Sequence, residues 1–103
     1  MINAQMKNYN FYLYDEEADI YGQKTLIKDA EGEPEIQGAI QMSITHTDTR
    51  IQQDINYIDA TYFGLTHDKS ISDRYVIQYG DERLKVLYVI RDGRYSQVFM
   101  NII

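Results

Sequence analysis

The chain has 103 residues, no cysteine and a formal net charge of −6, from 16 carboxylates against 10 Lys and Arg. That is the length of one domain, able to remove roughly two-thirds of its unfolded surface from water. The missing cysteines exclude a disulfide-stapled mini-protein and any cysteine-based metal site, and the singly scattered Lys and Arg argue against tight wrapping of nucleic acid, which needs a basic patch.

Hydrophobic residues make up 44% of the chain and are spread along it, so a wholly disordered chain is not expected. The longest apolar run, Val86 to Ile90, falls far short of the roughly 20 residues of a spanning helix. Met1 to Tyr14 has no apolar stretch after a basic one, so no secretory signal is expected. Tyrosine is the compositional anomaly, with 10 copies beside 3 Phe and no Trp. Tyr suits a pleated, half-buried surface, because its ring packs while its hydroxyl reaches water; it also suits a contact surface.

Along the chain the apolar pattern has a period of two far more often than 3.6. Asn8 to Tyr14 alternates as a first strand, and Asp15 to Ala18 reads as an acidic turn. Asp19 to Ile27 supplies at most a short strand weakened by Gly22. Lys28 to Glu35, with Gly32 and Pro34, is the clearest loop. Ile36 to Thr45 then alternates cleanly, with Ile36, Gly38, Ile40, Met42 and Ile44 on one face and Gln37, Gln41, Ser43 and Thr45 on the other. From His46 to Asn56 the alternation fails. Ile51, Ile55 and Ile58 fall at i, i+4 and i+7, which permits one or two helical turns with Thr47 or Asp48 as N-cap. A polar segment this long between two strands of a small domain is often functional. Tyr57 to Leu65 resumes as strand, and Thr66 to Ser72 is a polar connector.

The C-terminal third carries two hairpin signals. Tyr75–Tyr79 and Arg83–Ile90 flank Gly80-Asp81, and Leu84–Ile90 and Tyr95–Ile102 flank Asp92-Gly93. With two-residue turns, Ile77 faces Leu84, Tyr75 faces Val86, Val86 faces Phe99 and Ile90 faces Tyr95. One face then carries Tyr75, Ile77, Leu84, Val86, Tyr88, Ile90, Tyr95 and Phe99, the expected core. The other face holds Val76, Leu87, Val89, Val98 and Met100 among Arg83, Lys85 and Ser96, and is too apolar for free solvation. Either the sheet curls into a small barrel or sandwich, or a neighbouring subunit covers it. Arg91 would oppose Arg94 at the hairpin end, an unfavourable pair without an intervening acid. The expected fold class is all-β, a small barrel or sandwich of about six or seven antiparallel strands with a long polar loop and C-terminal hairpins. It forms one domain over residues 1–103, with an opening strand and variable loop in 1–35 and the inserted loop at 45–57.

No catalytic, metal or cofactor site emerges from the residues. His46 and His67 lie in polar segments beside Asp48 and Asp68, and no spacing forces a third ligand to converge on either. Ser43, Ser70, Ser72 and Ser96 sit in no nucleophile-elbow context. The acidic clusters at 15–17 and 31–35 lack the alternating oxygen ligands of a calcium loop, and no phosphate-binding glycine motif occurs. A glycosidase pair among 16 acids would need a cleft that the sequence does not reveal. The expectation is an assembly or interaction module and not an enzyme.

A resemblance extends this reading. The run Ile36-Gln37-Gly38-Ala39-Ile40-Gln41-Met42-Ser43 resembles the strand that precedes the long loop in head-closure proteins of tailed bacteriophages, the small stopper or head-tail joining proteins of the neck. The Gln- and Asp-rich segment His46 to Asn56 is similar to that family's loop in place and polarity. Residues Tyr57 to Thr66 look like its next strand. Ser72 to Asp81 resembles its strand-and-tight-turn segment, and Leu84 to Val89 with Gly93-Arg94-Tyr95 its final hairpin. The likeness covers about residues 36 to 103 and consists of strand, loop and turn patterns without a catalytic signature.

The resemblance implies a ring of β-barrel or sandwich protomers beneath portal and adaptor, which closes the DNA-filled head and offers a docking surface to the tail. Its localisation would be the neck of the virion, after assembly in the host cytoplasm. Its partners would be further copies of itself, portal or adaptor, and tail proteins. DNA would pass without sequence-specific binding, and neither cofactor nor membrane is implied. In that family the long loop projects into the channel. Carried over, His46, Asp48, Arg50, Gln52, Gln53, Asp54 and Asn56 would line or close it, and the net negative charge of Asp48, Asp54 and Asp59 against Arg50 would let DNA slide by repulsion. The face of Val76, Leu87, Val89, Val98 and Met100 would be buried between neighbours, as a closing heterologous contact requires. A free subunit is compatible with a monomer whose loop orders on assembly. The rival readings are a tail-completion protein, which would carry a helix packed on its sheet, and a monomeric ligand-binding β-barrel with an enclosed apolar pocket.

Overall fold

A computed structural model describes residues 6–17, 21–53 and 56–103, and in it the chain closes on itself as a β-barrel. The strands are β1 (Lys7–Leu13), β2 (Gly38–Gln53), β3 (Asn56–Thr66), β4 (Tyr75–Tyr79), β5 (Glu82–Asp92) and β6 (Tyr95–Ile102). Around the barrel their order is β1-β2-β3-β6-β5-β4, and every neighbouring pair is antiparallel. Phe11↔Ile77, Tyr12↔Val76 and Leu13↔Tyr75 form the seam that closes β4 onto β1. Closure removes the sheet edges that an open six-stranded sheet would leave to solvent.

Side-chain alternation sets the inside. On β2, Ile40 and Met42 are buried and Gln41 between them is exposed. On β3, Ala60, Tyr62 and Thr66 are buried, while Thr61, Phe63 and Leu65 face outward and keep some exposure. Thr66 is buried without penalty because its hydroxyl donates to the Gln41 carbonyl at 2.7 Å. The interior is completed by Ile71, Ile77, Leu84, Val86, Val98 and Met100, all at 0% exposure. At the end of the barrel nearest the Thr66–Arg74 connector, Ile71 is the plug. Ser96 donates to the Asp68 carbonyl at 3.0 Å, and Arg91 donates to the carbonyls of Lys69, at 3.0 Å, and Ile71. The connector is therefore tied down along its length and not a loose loop.

The first hairpin follows the sequence pattern: Gly80-Asp81 is the turn, Gly80 has φ +62°, and Ile77 faces Leu84. The second departs from it by one residue. Its turn is Gly93-Arg94, with φ +64° at Gly93, so Asp92 faces Tyr95, Ile90 faces Gln97 and Arg91 faces Ser96. This register separates Arg91 from Arg94 and frees the Arg91 guanidinium for the connector carbonyls. A bulge between Val86 and Tyr88 absorbs the offset, so that Val86 faces Met100 and Tyr88 faces Phe99.

The bulge inverts the expected faces. Ile77, Leu84 and Val86 are core as expected, but Tyr88, Ile90 and Tyr95 keep partial exposure on the outer wall. Phe99 is 6% exposed on that wall because the rings of Phe63 and Tyr88 flank it, at centroid distances of 5.2 and 6.5 Å. A one-residue slip moves a whole side-chain set to the opposite face, and here both sets were apolar enough to accept either.

Three further expectations are corrected. The segment His46 to Asn56 holds neither a loop nor helical turns over its described part: β2 runs through Gln53 and β3 starts at Asn56, paired from Ser43↔Leu65 to Gln53↔Asn56. Cross-strand pairing overrides the i, i+4 spacing of its isoleucines. Residues 21–27 form no strand beyond the isolated bridge Tyr14↔Leu26; Asp19 and Ile20 lie outside the described residues. Ile36, placed by alternation on one face with Ile40, Met42 and Ile44, precedes β2 and is 52% exposed.

Candidate functional site: the polar ribbon and the barrel mouth

Beyond the barrel wall, β2 and β3 continue together as a two-stranded ribbon. Among the described residues β2 meets β1 only up to Met42, and β3 meets β6 only from Tyr62 onward. Among the described residues the stretch from Thr49 to Gln53 therefore pairs with β3 alone, over a length of about 16 Å at about 3.3 Å per residue. A register shift between His46 and Thr49 marks the point of departure, where a bulge adds twist and bend.

Five of the seven predicted channel residues, Asp48, Arg50, Gln52, Gln53 and Asn56, lie on this ribbon. Arg50 occupies the position opposite Asp59, and Gln53 that opposite Asn56. Asp54 lies outside the described residues. His46 stands at the ribbon's base, exposed, with its ring edge-on to Tyr62 at 4.9 Å.

Tyr62 begins a run of rings across the barrel mouth. It meets Tyr79 at 5.6 Å, and Tyr79 meets Tyr9 at 5.8 Å, so side chains from β2, β3, β4 and β1 close this end in sequence. The Tyr62 hydroxyl donates to Glu82 Oε2 at 3.5 Å. Burial, then the Glu82 carboxylate and Tyr79, hold the Tyr62 phenol above its ordinary pKa. Burial, then Tyr79, does the same for Tyr9. Sequence reasoning missed this ring set: Tyr9, Tyr62 and Tyr79 belong to three strands, and only closure of the barrel brings them together. The one available signal was the tyrosine excess.

The predicted subunit-interface face is not a surface. Val98 and Met100 are fully buried in the core, and Val89 packs against it. Val76 is also at 0% exposure, but on the outer side, between Tyr12 on β1 and Lys85 on β5 in the cross-strand register. Arg83 lies over the Tyr12 ring at 5.2 Å and Lys85 over the Tyr14 ring at 5.7 Å, and long cationic stems laid on aromatic rings cover apolar wall in this way. Leu87, at the bulge, keeps partial exposure and lines an open cleft on the outside of the barrel. Four of the five residues are thus satisfied within one chain.

Among the described residues no three His, Asp or Glu side chains converge as a metal site would require. His67 lies against the Tyr95 ring at 4.5 Å. The barrel interior is filled by side chains, and the clefts found among the described residues open outward. The chain matches no protein-family model and no curated protein.

Proposed function

We propose that the protein is a structural subunit of the neck of a tailed bacteriophage, forming a ring that closes the filled head and receives the tail. The observation that carries this reading is the polar two-stranded ribbon standing off from a closed, side-chain-filled barrel. A barrel is a stiff base, and a ribbon of paired strands holds its shape better than a loop of equal length would. Set in a ring, such ribbons would point at the axis and narrow the channel. The chain's net charge of −6 favours this role over nucleic-acid binding, because a negative lining repels phosphates and leaves DNA free to move. No bond-breaking step is part of the proposal.

The test uses the portal–adaptor connector of the phage that encodes the chain. Full-length protein is expected to bind it as a ring visible by electron microscopy and to stop DNA leaking from packaged heads. A variant with residues 50–59 replaced by an Asn-Gly turn should still bind but should leak. Failure of the full chain to bind, or equal DNA retention by the shortened variant, refutes the reading. Portal, capsid and tail genes flanking its own gene would be expected alongside.

A further inference from the structure

In a chain with 16 acids and 10 Lys and Arg, one cleft reverses the sign. It lies on the outer wall where the segment after Gly22 passes the β5 bulge, and has a volume of about 540 Å³. Lys24, Arg74 and Lys85 line it against a single acid, Asp73, with the Tyr14 ring and Leu87 as apolar wall. Arg74 is held in place by the Tyr14 carbonyl, which accepts from its Nε at 3.1 Å and its Nη2 at 2.8 Å. Its remaining partner, Glu16 at 3.2 Å, is 78% exposed, and an ion pair that open is weak. Lys24 and Lys85 meet no carboxylate among the described residues; Lys85 rests over the Tyr14 ring. The cleft therefore presents positive charge on a fixed frame.

The same chain carries a matching feature of opposite sign. Residues 28–35 form a tight knuckle: Lys28 bridges Pro34, the Asp29 N–H donates to the Glu33 carbonyl at 2.8 Å, and the Gly32 N–H donates to the Asp29 carbonyl at 3.1 Å. The Asp29 carboxylate turns inward, accepting from the N–H groups of Glu31 at 2.9 Å and Glu33 at 3.0 Å. Glu31, Glu33 and Glu35 are left exposed, and none meets a cation among the described residues. The knuckle is stiff before any contact forms, so little ordering entropy opposes its docking.

We infer that the acidic knuckle of one copy seats in the Lys24–Arg74–Lys85 cleft of the next, and that this is the contact by which subunits follow one another around the ring. Where each copy offers its knuckle to one neighbour and its cleft to the other, the contact is heterologous, the kind that propagates or closes into a ring. The inference rests on the ring reading above and names its interface. It also replaces the apolar face that the barrel core consumes: the contact is electrostatic, so it forms at high local concentration and weakens with salt.

The experiment mixes nitrogen-15-labelled and unlabelled full-length protein at high concentration and low ionic strength, adds a carbodiimide, and identifies the joined peptides by mass spectrometry. Mixed-isotope crosslinks from Glu31 or Glu33 to Lys24 or Lys85 are expected, in species larger than a dimer. Either paired reversal, E31K with E33K or K24E with K85E, should lower the oligomer yield read by sedimentation without carbodiimide about tenfold or more, since like charges then face each other. Mixing the two reversed proteins should restore it. All four sites are solvent-accessible, and unchanged near-UV circular dichroism checks that the variants fold. Absence of mixed-isotope links, yields insensitive to reversal, association that stops at a dimer, or a cleft that binds inorganic phosphate without self-association each overturns the inference. If crosslinked rings form but the connector ignores them, the neck reading fails and the contact stands. If the connector takes both reversed variants as well as the natural chain, the contact fails and the neck reading stands.

Discussion

Gly64 shows how little slack the barrel interior has. Its backbone is ordinary strand, but a Cβ there would lie 2.5 Å from Met42 Sδ and 3.0 Å from Met100 Cε. Both methionines are fully buried, so neither can swing aside into solvent. Gly64→Ala should therefore destabilise by about 1–3 kcal/mol through overpacking, read as a lower urea midpoint. Combining it with Met42→Val, which deletes the obstructing sulfur, should cost less than the sum of the two single changes. Strict additivity would mean that the glycine acts through its backbone and not through packing.

At the scale of elements, the connector between β3 and β4 depends on one side chain from β5. Arg91 bridges the carbonyls of Lys69 and Ile71, while Lys69 Nζ donates to the Gly93 carbonyl at 2.8 Å and Ser96 to that of Asp68 at 3.0 Å. These bonds hold Ile71 in the barrel end, where it is fully buried. Arg91→Ala is expected to cost about 1–2 kcal/mol and to speed amide exchange over residues 67–73 more than elsewhere. Arg91→Lys should not rescue it, because an ammonium cannot span two carbonyls as a guanidinium fork does. Uniform loss of protection across the barrel would show that Arg91 acts on global stability alone.

For the molecule as a whole, the tyrosine set at the mouth links closure to alkaline pH. The phenols of Tyr9 and Tyr62 are raised, first by burial and then by Tyr79 for Tyr9 and by Glu82 and Tyr79 for Tyr62. A raised pKa means that the folded state holds its proton more tightly than the unfolded chain does. Stability is then fully present below about pH 10, the unfolded value, and is lost as pH rises through the folded values. Thermal melts against pH should be level below that point and fall above it, with tyrosinate absorbance appearing late for these rings. Tyr62→Phe should flatten the decline; a decline of the same slope in that variant would place its cause elsewhere.

Local patterning was enough for much of this architecture. Period-two alternation places β1, β3, β4 and the start of β2, and Gly80 at a turn between Tyr79 and Glu82 sets the Ile77↔Leu84 register without help from distant residues. The polarity of 46–56 likewise marks the segment that leaves the barrel. Its form as a ribbon was hidden, because isoleucines at i, i+4 and i+7 carry no information about a strand pairing with them from outside the core. Alternation also cannot say which face is inner where both are apolar, as along Val86 to Ile90. That choice fell to the Leu87 bulge and the Gly93-Arg94 turn, which together bury Val98 and Met100, separate Arg91 from Arg94 and bring Arg91 to the connector. The mouth and the basic cleft are likewise products of closure: each gathers side chains far apart in sequence, and only the energy of completing the barrel decides that they meet.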